Sequence, residues 1–447
     1  MTFAQSFDAP LAATSRRIPH AALRAEWPTR VIVFAPFVTA TLLSKFAPLA
    51  PGIPPIGLLF PVTTLALGAG LLTGRMQLVS GRFVFFLLML SVLSLVQVWR
   101  GDLFSLTSLA MMAVLGFAYV PAARPAPAGH ASVDSAAAIQ FFCNLSALIA
   151  LFGIVQFCLQ FVGGTALAFP IETWVPDALR TQGYNDMARL YYGSSIYKAN
   201  GFVMLEPSVF CQLCALGLIA ELASKSRTLR MAVYAGAIVV SYSGTGLVVL
   251  ALVLPLFVVM YRRWDLLLKG LLLLGVLALL AEPLNLGVTL GRVDEFSSGG
   301  SSGFMRFVGW QSLFADRLWN SPEHALLGYG SGTYFDAAVG YAAGEMAHAK
   351  IIFEFGVLGA LLYFGFIFYC LFGSRAPLIL RIAVAVTYFM NGAYSPSVTG
   401  FATCLLLWPV QDTAPPRSAR RGAWGSSGGN SGGESAGEPG REAGHAA

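Results

Sequence analysis

The stretch Lys198-Ala-Asn-Gly-Phe-Val-Met-Leu-Glu206-Pro207-Ser208 runs from polar chain directly into an apolar helix. Ionisable groups at membrane depth are costly, so a carboxylate at the mouth of such a helix is a candidate for function. Pro207 suits the first turn of a helix. Glu206 at its head can be favoured by the N-terminal dipole, or it can accept a hydrogen bond from a substrate hydroxyl. Just upstream, Arg180, Arg189 and Lys198 lie among Trp174, Tyr184, Tyr191, Tyr192 and Tyr197. Rings stack on sugar faces and guanidinium forks grip phosphate, so this mixture suits a substrate carrying both. An interfacial aromatic belt with snorkelling cations has the same composition. Arg306-Phe-Val-Gly-Trp310 adds a cation on a predicted amphipathic helix. Glu345 and His348 are one helical turn apart and can share a face, where the carboxylate would orient the imidazole as a base. His with Glu falls short of the three ligands a metal site usually needs, so no metal or other cofactor is expected. Gly328-Tyr-Gly-Ser-Gly332 alternates glycines without the strand and Lys-Ser/Thr of a phosphate loop, and it reads as a tight turn.

The elements that must position these residues are membrane helices. Charged residues make up 11% of the chain and hydrophobic ones 56%, against roughly 25% and 45–50% in soluble domains. The fold class is therefore an all-α polytopic membrane protein. Apolar runs predict helices near 31–49, 56–73, 83–98, 104–121, 136–162, 205–223, 230–242, 245–261, 267–283, 347–372, 378–393 and 397–411. The run from Met231 to Met260 is too long for one span and is interrupted by Ser241-Tyr-Ser-Gly-Thr-Gly246. Basic clusters flank it on both sides, so it must enter and return as a hairpin of two short helices.

That gives about twelve transmembrane helices with both termini cytoplasmic. The short inner loops then carry Arg75, Arg82, Arg124, Lys225, Arg227, Arg230, Arg262, Arg263, Lys269, Arg375 and Arg381, against Arg100 alone in the short outer turns. The net charge of +6 reflects this topology. Nucleic acid is not an expected partner, because no basic stretch interleaves with aromatics. Residues 1–30 read as a cytoplasmic tail, having no apolar core before a cleavage site. Residues 31–411 form the transmembrane domain, and the Gly/Ser/Glu-rich residues 412–447 form a disordered cytoplasmic tail. Two long outer segments are expected, near 163–204 and 284–346. The second, the large one before helix 10, contains the Ser/Gly linker 297–303. Cys211 and Cys214 have paired spacing but no second ligand pair, and they read as apolar filler.

Taken in order, these motifs resemble the bacterial O-antigen polymerase and ligase superfamily of inner-membrane glycosyltransferases. The resemblance covers roughly residues 136–372. It rests on Lys198-Ala-Asn-Gly201 leading to Glu206-Pro207-Ser208, then Ser241-Tyr-Ser-Gly-Thr-Gly246, Arg306 with Trp310, Gly328-Tyr-Gly-Ser-Gly332, and Glu354-Phe-Gly356-Val-Leu-Gly359 after a His. Lys198 stands where the family usually has Arg, Ser243-Gly244 where ligases have Ser-Arg, and Ala349 where an Asn follows the His. These differences favour the polymerase branch over the ligase branch. The resemblance implies transfer of a polyprenyl-pyrophosphate-linked glycan on the periplasmic side of the inner membrane, as in O-antigen or exopolysaccharide synthesis. Arg306 and Lys198, with Arg180 or Arg189, would clamp the pyrophosphate, while His348, or otherwise Glu206, would be the base. The lipid bilayer, a chain-length regulator and a flippase would be its partners. A multi-pass secondary transporter is the rival from another class; it calls for ionisable groups near the bilayer midplane and broken helices in both halves.

Overall fold

A computed structural model describes residues 20–47, 57–100, 105–125, 133–279, 301–392 and 394–411, with isolated positions between 281 and 299. Both expected tail ends (1–19 and 412–447) and most of 283–300, where the Ser/Gly linker begins, lie outside the described residues.

The described chain is mostly helical. The first half comprises α1 (His20–Leu42), α2 (Leu59–Leu72), α3 (Ser80–Arg100), α4 (Leu106–Phe117), α5 (Ser135–Ala168) and the short α6 (Pro170–Trp174). Strands β1 (Met76–Leu78) and β2 (Pro121–Ala123) pair antiparallel. Then come α7 (Pro207–Ala223), α8 (Thr228–Ser241), α9 (Gly244–Tyr261) and α10 (Asp265–Leu279). The short helices α11 (Ser302–Phe307), α12 (Gly309–Leu313), α13 (Pro322–Leu327) and α14 (Tyr334–Val339) lead to α15 (Ala347–Phe372), α16 (Leu378–Phe389) and α17 (Pro396–Ala402).

By length and composition, four helices can cross a membrane: Ser80–Trp99, Ser135–Trp174, Gly244–Tyr261 and Ala347–Phe372. The other apolar stretches, among them Trp27–Leu42 of α1, have 10–17 residues. At about 1.5 Å rise per residue they fall short of a hydrocarbon core roughly 30 Å thick. The all-α membrane architecture stands on these helices, whereas the expected count of about twelve spans is met by four among the described residues. The Met231–Met260 run is broken into two helices at the expected Ser241–Gly246 interruption. Tyr242 takes a left-handed conformation (φ 45°), which ends α8 and lets α9 start at Gly244.

α7 is the centre of the bundle. It is apolar all round, as a helix enclosed by others must be, and it packs against α5, α8, α9 and α16. α1 packs on α2 and α17, while α15 packs on α3, α13 and α16. A smaller apolar cluster of Leu313, Phe314, Leu318, Tyr334, Met346 and Phe353 seats the second long connection on the first turns of α15.

α15 is broken at Gly356, where φ is +66°. A Cβ there would lie 2.2 Å from the Leu326 carbonyl oxygen, so both the conformation and the close approach require glycine. The break strips the Phe353 and Glu354 carbonyls of their intrahelical donors. The backbone N–H groups of Tyr329 and Gly330 donate to them instead, each at 2.9 Å. The alternating glycines at 328–332 thus form a tight turn, with positive φ at Gly328, Gly330 and Gly332, and that turn clasps the break in α15.

Candidate functional site

Glu206 is the N-cap residue of α7. Its Oε2 accepts from Ser208 Oγ at 2.8 Å, and its Oε1 accepts the Asn185 N–H at 3.3 Å. α9 begins alongside: Thr245 Oγ1 donates to the Ser208 carbonyl at 2.9 Å, and Cys211 Sγ donates to the Ser243 carbonyl at 3.3 Å. Two helix N-termini therefore open at one place, and neither receives a side-chain cap from its own N-cap residue. Such ends carry partial positive charge and unpaired N–H groups, which favour anions. Arg306, the cation of α11, reaches this point with Nη2 3.9 Å from Glu206 Oε2. The two long connections, a hundred residues apart in sequence, meet in that pair. Both side chains keep solvent contact, 28% for Arg306 and 23% for Glu206, so a ligand can reach them.

The stretch before Glu206 is held from below by two glutamines of α5. Gln156 Oε1 accepts the N–H groups of Asn200, Gly201 and Phe202 at 2.9, 2.9 and 3.2 Å. Its Nε2 donates to the Ala168 carbonyl and to Asn200 Oδ1, both at 2.9 Å. One turn later, Gln160 exchanges hydrogen bonds with the Tyr197 backbone. The Lys198 backbone N–H donates to Ala188 O at 2.9 Å, which closes a small loop around the half-buried Lys198. A buried ion pair, Lys45 with Glu172, ties the end of α1 to α6. Burial lowers the Lys45 pKa, opposed by the Glu172 carboxylate.

In the second connection, the His348 ring meets Trp310 edge-on, with centroids 5.1 Å apart. The Trp310 Nε1–H is buried without a hydrogen-bond partner. Glu345 does not orient His348, contrary to the sequence reading. Its carboxylate instead accepts from Lys350 Nζ at 3.1 Å, and Lys350 also pairs with Glu354 at 3.4 Å. An ammonium outcompetes a neutral imidazole for a carboxylate, and Lys350 lies on the turn that Glu345 faces. Tyr184 lies in the field of both Glu206 and Glu345: burial first, then these two carboxylates, raise its phenol pKa.

Of the expected clamp, the structure brings Arg306 to Glu206. Arg180 is taken up elsewhere: it pairs with Asp177, and with Asp186 at 3.2 Å, while its backbone bridges Phe46. These carboxylates fix it in the first connection. Arg189 is exposed and sits over the Tyr197 ring, 5.8 Å from its centroid. Gln156 and Gln160 are contributors the sequence reading passed over, and Lys350 and Glu354 are contributors to which it gave no role of their own. Two of the signals were legible: paired glutamines four residues apart inside an apolar helix, and Lys350 four residues before Glu354 on one helix face. Comparison with family models, with curated proteins and with solved structures finds no match.

Proposed function

We propose that the chain is an inner-membrane glycosyltransferase that extends a polyprenyl-pyrophosphate-linked glycan at the periplasmic face. The observation that carries this reading is the meeting of Arg306 with Glu206 where α7 and α9 begin. Arg306 would exchange its weak contact with Glu206 for the pyrophosphate, which the two helix N-termini also favour. Lys198 adds a second cation nearby in sequence. In the reaction, the acceptor hydroxyl oxygen bonds to the anomeric carbon of the donor. The bond from that carbon to the pyrophosphate oxygen breaks, and its electron pair leaves with the pyrophosphate. The acceptor proton passes to Glu206, or to His348. Glu206 is the better placed base, because it is next to the clamp and His348 has no carboxylate to orient it. The cations stabilise the charge growing on the leaving group.

Polymerase activity is favoured over ligase activity by the sequence differences at Lys198, Gly244 and Ala349. In cells carrying the chain, Arg306→Ala would replace the ladder of long glycans with single-repeat products while protein stays in the membrane. A full ladder with Arg306→Ala removes the clamp from the account. One observation favours the transporter reading: α15 breaks beside the buried pair Lys350 and Glu354. Proteoliposomes that accumulate a sugar against its gradient without new glycosidic bonds would support that alternative.

A further inference from the structure

Glu354 is 0% exposed within an apolar helix, a position that demands a partner. Its Oε1 accepts from Lys350 and, at 3.4 Å, from the Tyr334 backbone N–H. Its Oε2 is buried with no partner, and so is the hydroxyl of Tyr394, whose ring lies 5.9 Å from Lys350 Nζ. Tyr394 itself is held at φ 64°, which is strained for a residue with a side chain. Lys350 is nearly buried between Glu354 and Glu345, and Glu345 is 48% exposed. A fully buried carboxylate thus fixes an ammonium, and the ammonium fixes a carboxylate that faces solvent. Two buried polar atoms beside the bridge, Glu354 Oε2 and the Tyr394 hydroxyl, thus lack the partners that such atoms call for. The Gly344 N–H donates to the Met305 carbonyl at 2.7 Å, so Glu345 follows directly on a residue bonded to the chain next to Arg306.

We infer that Glu345, held by the Lys350–Glu354 bridge, forms a subsite that binds the hydroxyl groups of a neutral acceptor sugar. This rests on the glycosyltransferase reading and places the acceptor near the Arg306 clamp. Ionised carboxylates accept hydrogen bonds from sugar hydroxyls and repel uronate or phosphate groups. Glu345 touches the acceptor; Lys350 is a positioning residue that acts through it.

The test uses the full-length protein in lipid nanodiscs, with transfer from a polyprenyl-pyrophosphate oligosaccharide measured at varied acceptor and varied donor. Glu345→Gln raises the acceptor KM about tenfold and leaves the donor KM unchanged. Lys350→Met alone leaves Glu354 unpaired and lowers the unfolding midpoint. Lys350→Met/Glu354→Gln restores the midpoint yet keeps the raised acceptor KM, and Lys350→Arg recovers most of it. A double variant with wild-type midpoint and wild-type acceptor KM reduces the bridge to a structural role and overturns the proposal. A parallel arm measures fluorescence quenching by maltotriose and by trigalacturonate. Glu345-dependent preference for maltotriose in a protein that transfers nothing leaves the subsite standing while the enzyme reading falls. Normal transfer with Glu345→Gln, or equal binding of both saccharides, sinks the subsite.

Discussion

Arg306 and Glu206 are the residues on which the account turns, and their pairing is weak by design of the site. At 3.9 Å and partly in solvent, such a contact is worth about 0–1 kcal/mol. A pyrophosphate carries more charge and can be gripped by both arms of the guanidinium. Arg306→Lys should therefore recover only part of the turnover lost in Arg306→Ala, because a point charge cannot reproduce the fork. Equal rescue by Lys in a steady-state transfer assay would contradict the bidentate role. The base can be ranked in the same assay. Glu206→Gln should lower turnover roughly 10²–10⁴-fold with donor still bound, and His348→Ala should cost less. The reverse order would return the proton to His348. At this scale the sequence was a good guide to residue types and a poor one to partners. Glu206 and Arg306 stood out as charges beside apolar helices. Nothing in the spacing of Glu345 and His348 could show that Lys350 would claim the carboxylate, since that depends on the side-chain directions at the start of α15.

At the scale of elements, the site rests on helices that stop or break where they meet the connections. α5 presents Gln156 and Gln160 to the loop before Glu206, and α15 breaks at Gly356 to receive the glycine turn. Gln156→Ala removes at once the acceptor of three N–H groups, two of them buried and the third partly so. Each orphaned group costs about 1–3 kcal/mol, discounted where water enters, so a loss on the order of 3 kcal/mol is expected. Thermal unfolding in detergent would show the loss, and limited proteolysis would show faster cutting between residues 185 and 205. An unchanged midpoint and cleavage pattern would mean that the latch does not hold the loop. The break between α8 and α9 was legible because Ser241-Tyr-Ser-Gly-Thr-Gly246 interrupts an apolar run too long for one span. The break in α15 was not, since Gly356 lies in an apolar run and only the approach of Leu326 explains it.

For the whole molecule, the composition specified a helical membrane protein, and the helices agree. The number of crossings was harder to read. Hydropathy sees apolar runs, and several of those runs fold as helices too short to span a bilayer alone. The distribution of Lys and Arg predicts that both long connections lie outside the cell membrane. Tyr192 is exposed in the first connection, and Gly340 has open space around it in the second. Tyr192→Cys and Gly340→Cys, each in a background without native cysteines, should react with an impermeant thiol reagent in intact cells with the outer membrane permeabilised. Labelling of either site only after lysis would reverse the topology and with it the side on which the chemistry occurs.

The most direct test of glycan transfer is reconstitution of the purified full-length chain with a fluorescent polyprenyl-pyrophosphate oligosaccharide as both donor and acceptor. The account predicts a ladder of products lengthened by whole repeats, released pyrophosphate-lipid in matching amount, and no ladder from an equal quantity of folded Arg306→Ala. A wild-type protein that leaves the oligosaccharide unextended, or an Arg306→Ala variant that extends it at the wild-type rate, would contradict it.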